Sequence, residues 1–136
     1  MEVKLEIELR PTPHQSVRFT KSGFTYQPKK IVEYKTKIIE IVREQLSDDF
    51  SIIEAGRFIH ITKLHYVFKY PQSFSKKKRT ELDYKPSRPD LHDNLNKALF
   101  DALEGLVFER DQDVVSMDNL KKYYGDSDKI LIDIRC

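Results

Sequence analysis

Residues 90 to 111 hold the side chains best placed to do chemistry. Asp93, Lys97 and Asp101 follow one another at four-residue steps, and at ~100° per residue that spacing gathers them along one helix edge. Asp90 comes just before this run and Asp111 just after it. Converging carboxylates suit Mg²⁺, which takes hard oxygen ligands and keeps several waters. Bound there, the ion polarises a phosphate and helps generate hydroxide. A lysine beside it orients the phosphate or neutralises developing charge. The chemistry indicated is phosphodiester hydrolysis.

Spacing alone also allows plainer roles, and favours them. Asp90 reads as a helix N-cap, with Asp93 three residues on completing a capping-box-like pair. Asp93, Lys97 and Asp101 read as a ladder of surface ion pairs, each worth about 0.2–0.5 kcal/mol. Asp111 reads as a turn residue, and His92 as a surface histidine at a helix start. Phe100 fits less easily, because it falls on the polar face of the same helix. It calls for a partner in a neighbouring element or in a second subunit.

Charge is unevenly distributed. Residues 69 to 88 carry seven Lys and Arg against two acids, and residues 89 to 136 carry eleven Asp and Glu against six Lys and Arg. A basic segment thus directly precedes an acidic one. It reads either as two solvated surfaces or as a phosphate-binding arm beside a carboxylate cluster.

The elements that would position these groups follow from periodicity. Leu95, Ala98, Leu99, Ala102, Leu103 and Leu106 form a continuous apolar stripe, which predicts a helix from 93 with Gly105 near its end. Val3, Leu5, Ile7 and Leu9 alternate with polar residues and predict a half-buried strand ended by Pro11 and Pro13. A polar loop or ribbon around Gly23 leads to a helix starting at Pro28, with a stripe of Ile31, Tyr34, Ile38, Ile41 and Val42. Residues 58 to 70 are β-branched and aromatic and predict a strand. Gln72 to Pro89 reads as a long polar loop. Val114 to Met117 starts another strand, Gly125 to Ser127 a turn, and Lys129 to Arg135 the last strand. The order β, α, β, loop, α, β, β predicts an α+β fold, with a mixed, mostly antiparallel sheet and two main helices.

Length and composition bound the class. The chain has 136 residues, 39% hydrophobic and 34% charged, which predicts one domain over 1–136 with a real core. No apolar run approaches the ~18 residues of a membrane span. The first ten residues lack the apolar block of a signal peptide. The single cysteine, Cys136, allows no internal disulfide and no zinc spacing. An intracellular, cytoplasmic setting is expected.

The motif text then points further. Pro89-Asp90-Leu91-His92-Asp93-Asn94-Leu95-Asn96-Lys97, then Asp101-Ala102-Leu103-Glu104-Gly105, then Phe108-Glu109-Arg110-Asp111, resembles the signature of the RusA-type Holliday-junction resolvases. Val17-Arg18-Phe19-Thr20, Tyr26-Gln27-Pro28-Lys29-Lys30, Pro71 to Arg79 and Lys122-Tyr123-Tyr124-Gly125 resemble further parts of that family. The chain departs from the family pattern in three places. Asp90 and Asp93 are separated by two residues where the family has one. Arg110 stands where an acid is usual, and Asp113 where Gln is often found.

The resemblance implies a homodimer that cuts four-way branched DNA with Mg²⁺ or Mn²⁺. It implies metal-binding roles for Asp90, Asp93 and Asp111, and a catalytic role for them together with Lys97. His92 and Asp113 stand open as further ligands. DNA contacts are expected from Lys76, Lys77, Lys78 and Arg79, joined by Arg18, Lys29, Lys30 and Arg88. Phe74 is expected either to stack at the branch point or to pack on the domain. Three competing readings differ in kind. A branched-DNA-binding protein with a degraded site would bind junctions without cutting them. An RNA-binding sheet would display Tyr66, Phe68 and Tyr70 to single strands. A restriction-type nuclease would need a (D/E)-x-K triplet after Asp90, and none follows it.

Overall fold

Alternation of charged and apolar residues sets the first strand, β1 (Glu2–Ile7), whose Val3, Leu5 and Ile7 are buried while Glu2, Lys4 and Glu6 are exposed. The computed structural model describes residues 1–13, 18–74 and 83–136, apart from the side chains of Arg18, Phe19, His92 and Asp93. The expected ribbon around Gly23 is a short antiparallel pair, β2 (Arg18–Phe19) with β3 (Thr25–Tyr26). Pro28 then caps α1 (Lys29–Gln45), a position where its missing N–H costs nothing. Ile31, Tyr34, Ile38 and Val42 form the buried stripe of α1.

The long strand β4 (Ile59–Lys69) is the centre of the main sheet. Its core-facing residues change phase along its length. Ile59 and Ile61 are buried at odd positions, whereas Leu64, Tyr66 and Phe68 are buried at even ones. The pairing register slips between Ile61 and Lys63. One extra residue at a bulge turns the following side chains to the other face.

The last strand, β8 (Lys129–Arg135), lies between β1 and β4 and runs antiparallel to both. On the other side of β4, the stretch expected as one strand after residue 114 is two. β6 (Val114–Met117) and β7 (Leu120–Gly125) both run parallel to β4, along its first and second halves. Asp118 and Asn119 separate them, Asn119 with a φ of 52°. The sheet is therefore mixed, as the element order predicts.

The stretch 72–89 differs from its expectation as a loop throughout. Asp83–Tyr84 forms a strand, β5, antiparallel to Tyr123 and Tyr124 of β7. A two-residue pairing is too short to leave a period in the sequence. Gly125 closes β7 for a steric reason, since a Cβ there would lie 2.6 Å from Cγ1 of buried Val67.

The leucine-striped helix, α2 (Asn96–Leu103), packs Leu95, Ala98, Leu99, Ala102 and Leu103 into the core beside α1. Gly105 follows it with a φ of 83°, the left-handed conformation that commonly stops a helix. Phe100 finds its partner inside the chain: its ring meets Phe108 edge-on, 6.3 Å between centroids. The result is a single small α+β domain with a mixed open sheet and, among the described residues, two α-helices. No helix among the described residues is long and apolar enough to cross a membrane.

Candidate active site

The segment carrying the motif acids does not enter α2 as a plain α-helix. Leu91–Leu95 forms a π-helical turn, in which the Leu95 amide donates to the Asp90 carbonyl five residues back at 3.1 Å. Such a turn takes up one more residue than an α-turn. The spacing from Asp90 to Asp93 is also one residue longer than the related motif has. Turns of this kind are rare and recur at functional sites. They also break the regular progression of side chains around a helix. Regular α-helical register runs from Asn96 onward and relates Lys97 to Asp101.

Asp90 is exposed and borders a pocket of about 520 Å³, together with Arg88, Pro13, Pro89 and Asn94. The chain before it is held from the sheet. Lys122 Nζ on β7 donates to the carbonyls of Ser87 and Pro89, each at 2.7 Å. Burial pushes the Lys122 ammonium below the usual lysine value, helped by nearby Lys85 and opposed by Asp90 and Tyr124. Lys85 donates to Ser87 Oγ at 2.7 Å and lies over the rings of Phe68 and Tyr124, 5.2 and 5.4 Å from their centroids. That is cation–π range.

A second pocket, of about 400 Å³, shares Pro13 and Pro89 with the first. Its wall brings three cations, Arg10, Lys30 and Lys37, around Tyr34. The Tyr34 hydroxyl is buried, and burial raises its pKa to about 12, against a weaker lowering by the Thr12 backbone. Lys30 was an expected phosphate contact. Lys37 lies two helical turns along the same face of α1, and Arg10, which follows β1, is brought beside them by the fold.

The remaining expected residues divide clearly. Lys97 is exposed, with its ammonium 3.7 Å from Asp101. Asp111 is exposed at the start of a 3₁₀ turn, Asp111–Asp113, leading into β6. Asp113, which stands open as a further ligand, is hydrogen-bonded within the chain. Its carboxylate accepts from Arg110 Nη2 at 2.7 Å and Nε at 3.1 Å, and from the Gly56 amide at 3.0 Å. The Arg110 hydrogen bonds, with Gly56 second, lower its pKa. A carboxylate so satisfied ties the 3₁₀ turn to the loop before β4 and has little left for a metal.

Among the described residues, no three His, Cys, Asp or Glu side chains stand together as a metal site. The side chains of Asp93 and His92, at the centre of the motif, lie outside that description. So do Lys76, Lys77, Lys78 and Arg79, and the side chain of Arg18. Lys29 is exposed and pairs with Glu33 at 3.8 Å. Phe74 packs on the domain, its ring 5.9 Å from that of Tyr70 and 5.2 Å from that of Tyr124.

The residue that sequence reasoning missed is Lys122. Its stretch, Lys122-Tyr123-Tyr124-Gly125, was legible as a motif. Nothing in a linear spacing of more than thirty residues marks it as a neighbour of Asp90. The family model of the endodeoxyribonuclease RusA matches residues 8–135. No curated protein matches the chain.

Proposed function

Because the chain belongs to the RusA endodeoxyribonuclease family, we propose that it is a Mg²⁺-dependent, structure-specific endonuclease that resolves four-way DNA junctions by paired symmetric nicks. The observation that carries this reading is the placement of the motif segment. Exposed Asp90 borders an open pocket beside Arg88, immediately before a π-helical turn, within the residues that the family model matches.

The donor chemistry fits a hard cation. Asp90 and Asp111 are exposed carboxylates, and among the described residues neither is held as Asp113 is. With Asp93 they would supply an all-oxygen set suited to Mg²⁺ or Mn²⁺. Bound there, the metal would act as a Lewis acid on the scissile phosphate. The chain's own residues do the rest. Arg88 and Lys97 bring positive charge to a backbone that the carboxylates repel, and Lys97 orients or neutralises the reacting phosphate. The basic segment 76–79 and the cations Lys29, Lys30 and Arg18 hold flanking phosphates, fixing position without reading sequence.

Two symmetric nicks need two sites related by a two-fold axis, so the active form is a homodimer. Sedimentation at micromolar concentration checks this, and a monomer there speaks against it. The main test is cleavage of a synthetic four-way junction with a fixed branch point. Mg²⁺ should support cutting, and Asp90→Asn and Asp93→Asn should abolish it. Both variants should bind the junction as well as the parent or better, because each loses a negative charge near phosphate. Full cutting by Asp93→Asn would remove the assignment. Tight junction binding with no cutting by the parent chain would favour a non-catalytic branched-DNA-binding protein.

A further inference from the structure

Two neighbouring residues of the sheet hold the two ends of the π-helical turn. Tyr66 of β4 and Lys122 of β7 are paired across the parallel ladder. Tyr66 donates to Asn96, just after the turn, at 2.8 Å. Lys122 donates to Ser87 and Pro89, just before Asp90, at 2.7 Å each. The wide turn and its first acid are thus spanned from one point of the sheet.

We infer that Lys122 is a positioning residue for the catalytic centre, one that fixes the Asp90 carboxylate through the backbone rather than by touching DNA. The inference rests on the reading of Asp90 as a metal ligand. A flexible lysine would not normally spend two donors on backbone carbonyls at an open pocket edge. Its partial burial there, with Lys85 nearby, lowers its proton affinity. The geometry repays this by holding the backbone on which the carboxylate is mounted. A residue that orients a ligand in this indirect way typically changes metal affinity or activity by about 10–100-fold when removed.

A simple charge effect predicts the opposite sign. Lys122 is a cation near Asp90, so deleting its charge should favour a bound divalent ion. Positioning predicts that the ion is bound more weakly. The two roles therefore separate in one measurement.

The test is Mn²⁺ binding to the full chain without DNA, by calorimetric titration, for the parent, Lys122→Met and Asp90→Asn. Lys122→Met should bind Mn²⁺ about ten-fold or more weakly, and Asp90→Asn should also lose affinity. If Lys122→Met does not fold, Lys122→Gln, which drops the charge and shortens the reach, is read in the same way. Mn²⁺ affinity equal to or above the parent's in the Lys122 variant, with affinity lost in Asp90→Asn, would overturn the positioning role and leave the ligand assignment standing. Parent-like affinity in Asp90→Asn would instead overturn the ligand assignment, and the role of Lys122 with it.

Discussion

The Tyr66 hydroxyl donates to Asn96 Oδ1 at 2.8 Å with both residues shut away from solvent, joining the central strand directly to the start of α2. Asn96 is the neighbour of Lys97 in the chain, so this bond sets how the helix presents its exposed edge. Tyr66→Phe removes the donor and leaves a buried amide oxygen unpaired. Such a group costs about 1–3 kcal/mol. The variant should unfold at lower urea concentration than the parent, with an unchanged slope. An unaltered midpoint would show that the amide finds another partner.

Asp113 should matter for stability and not for chemistry. Asp113→Asn should leave Mg²⁺-dependent cutting within a few-fold of the parent while lowering the melting temperature. Its folded-state pKa lies below the ordinary 3.8. The folded form therefore favours the ionised group, and its contribution is present above about pH 3.8 and lost as pH falls through the depressed value. Acid melts of parent and Asp113→Asn should converge in that range. Loss of cutting in a folded Asp113→Asn would return this residue to the ligand set.

Lys97 lies at the surface, 3.7 Å from Asp101. An exposed pair of this kind contributes about 0.3–0.5 kcal/mol at most. Lys97→Ala should therefore slow junction cleavage strongly, with almost no change in melting temperature. A large drop in stability with normal cleavage would mean that the ion pair is its whole role.

His65 gives the fold a pH dependence near neutrality. Its Nε2 meets Asn119 Oδ1 at 3.1 Å and its Nδ1 meets the Tyr123 hydroxyl at 3.0 Å. Burial is the largest cause of a pKa below 6.5. The folded state thus favours the neutral ring. Its contribution is present above about pH 6.5 and is lost as pH falls through the lowered value. His65→Gln should melt lower than the parent at pH 7.5, with the gap narrowing toward pH 5. A constant gap would place the pH dependence on another group.

The basic segment Lys76, Lys77, Lys78 and Arg79 should act through phosphates. Neutralising all four should weaken junction binding and flatten its salt dependence, by up to about one unit of slope per lost contact. An unchanged slope would show that the segment is a solvated charge run. The path of DNA would then be sought along Arg10, Lys30 and Lys37.

Local repetition along the chain is enough to set its regular elements. Alternation in residues 2–7, the stripe of α1 and the leucine face of α2 each follow from burying one side of a regular backbone. The motif from Pro89 to Asp111 was equally legible, because its residue types are set by chemistry. Tertiary structure decided what depends on distant partners. The phase change in β4 needed β8 to show where the register slips. The two-residue strand β5 exists only because β7 offers it an edge. Asp113 could be separated from Asp111 only once Gly56 and Arg110 were seen to occupy it. Lys122 and Asp90 lie far apart in the chain, and their relation exists only where β7 passes beside the π-helical turn. Periodicity reports how a residue is buried, whereas pairing across the fold is set by which elements meet.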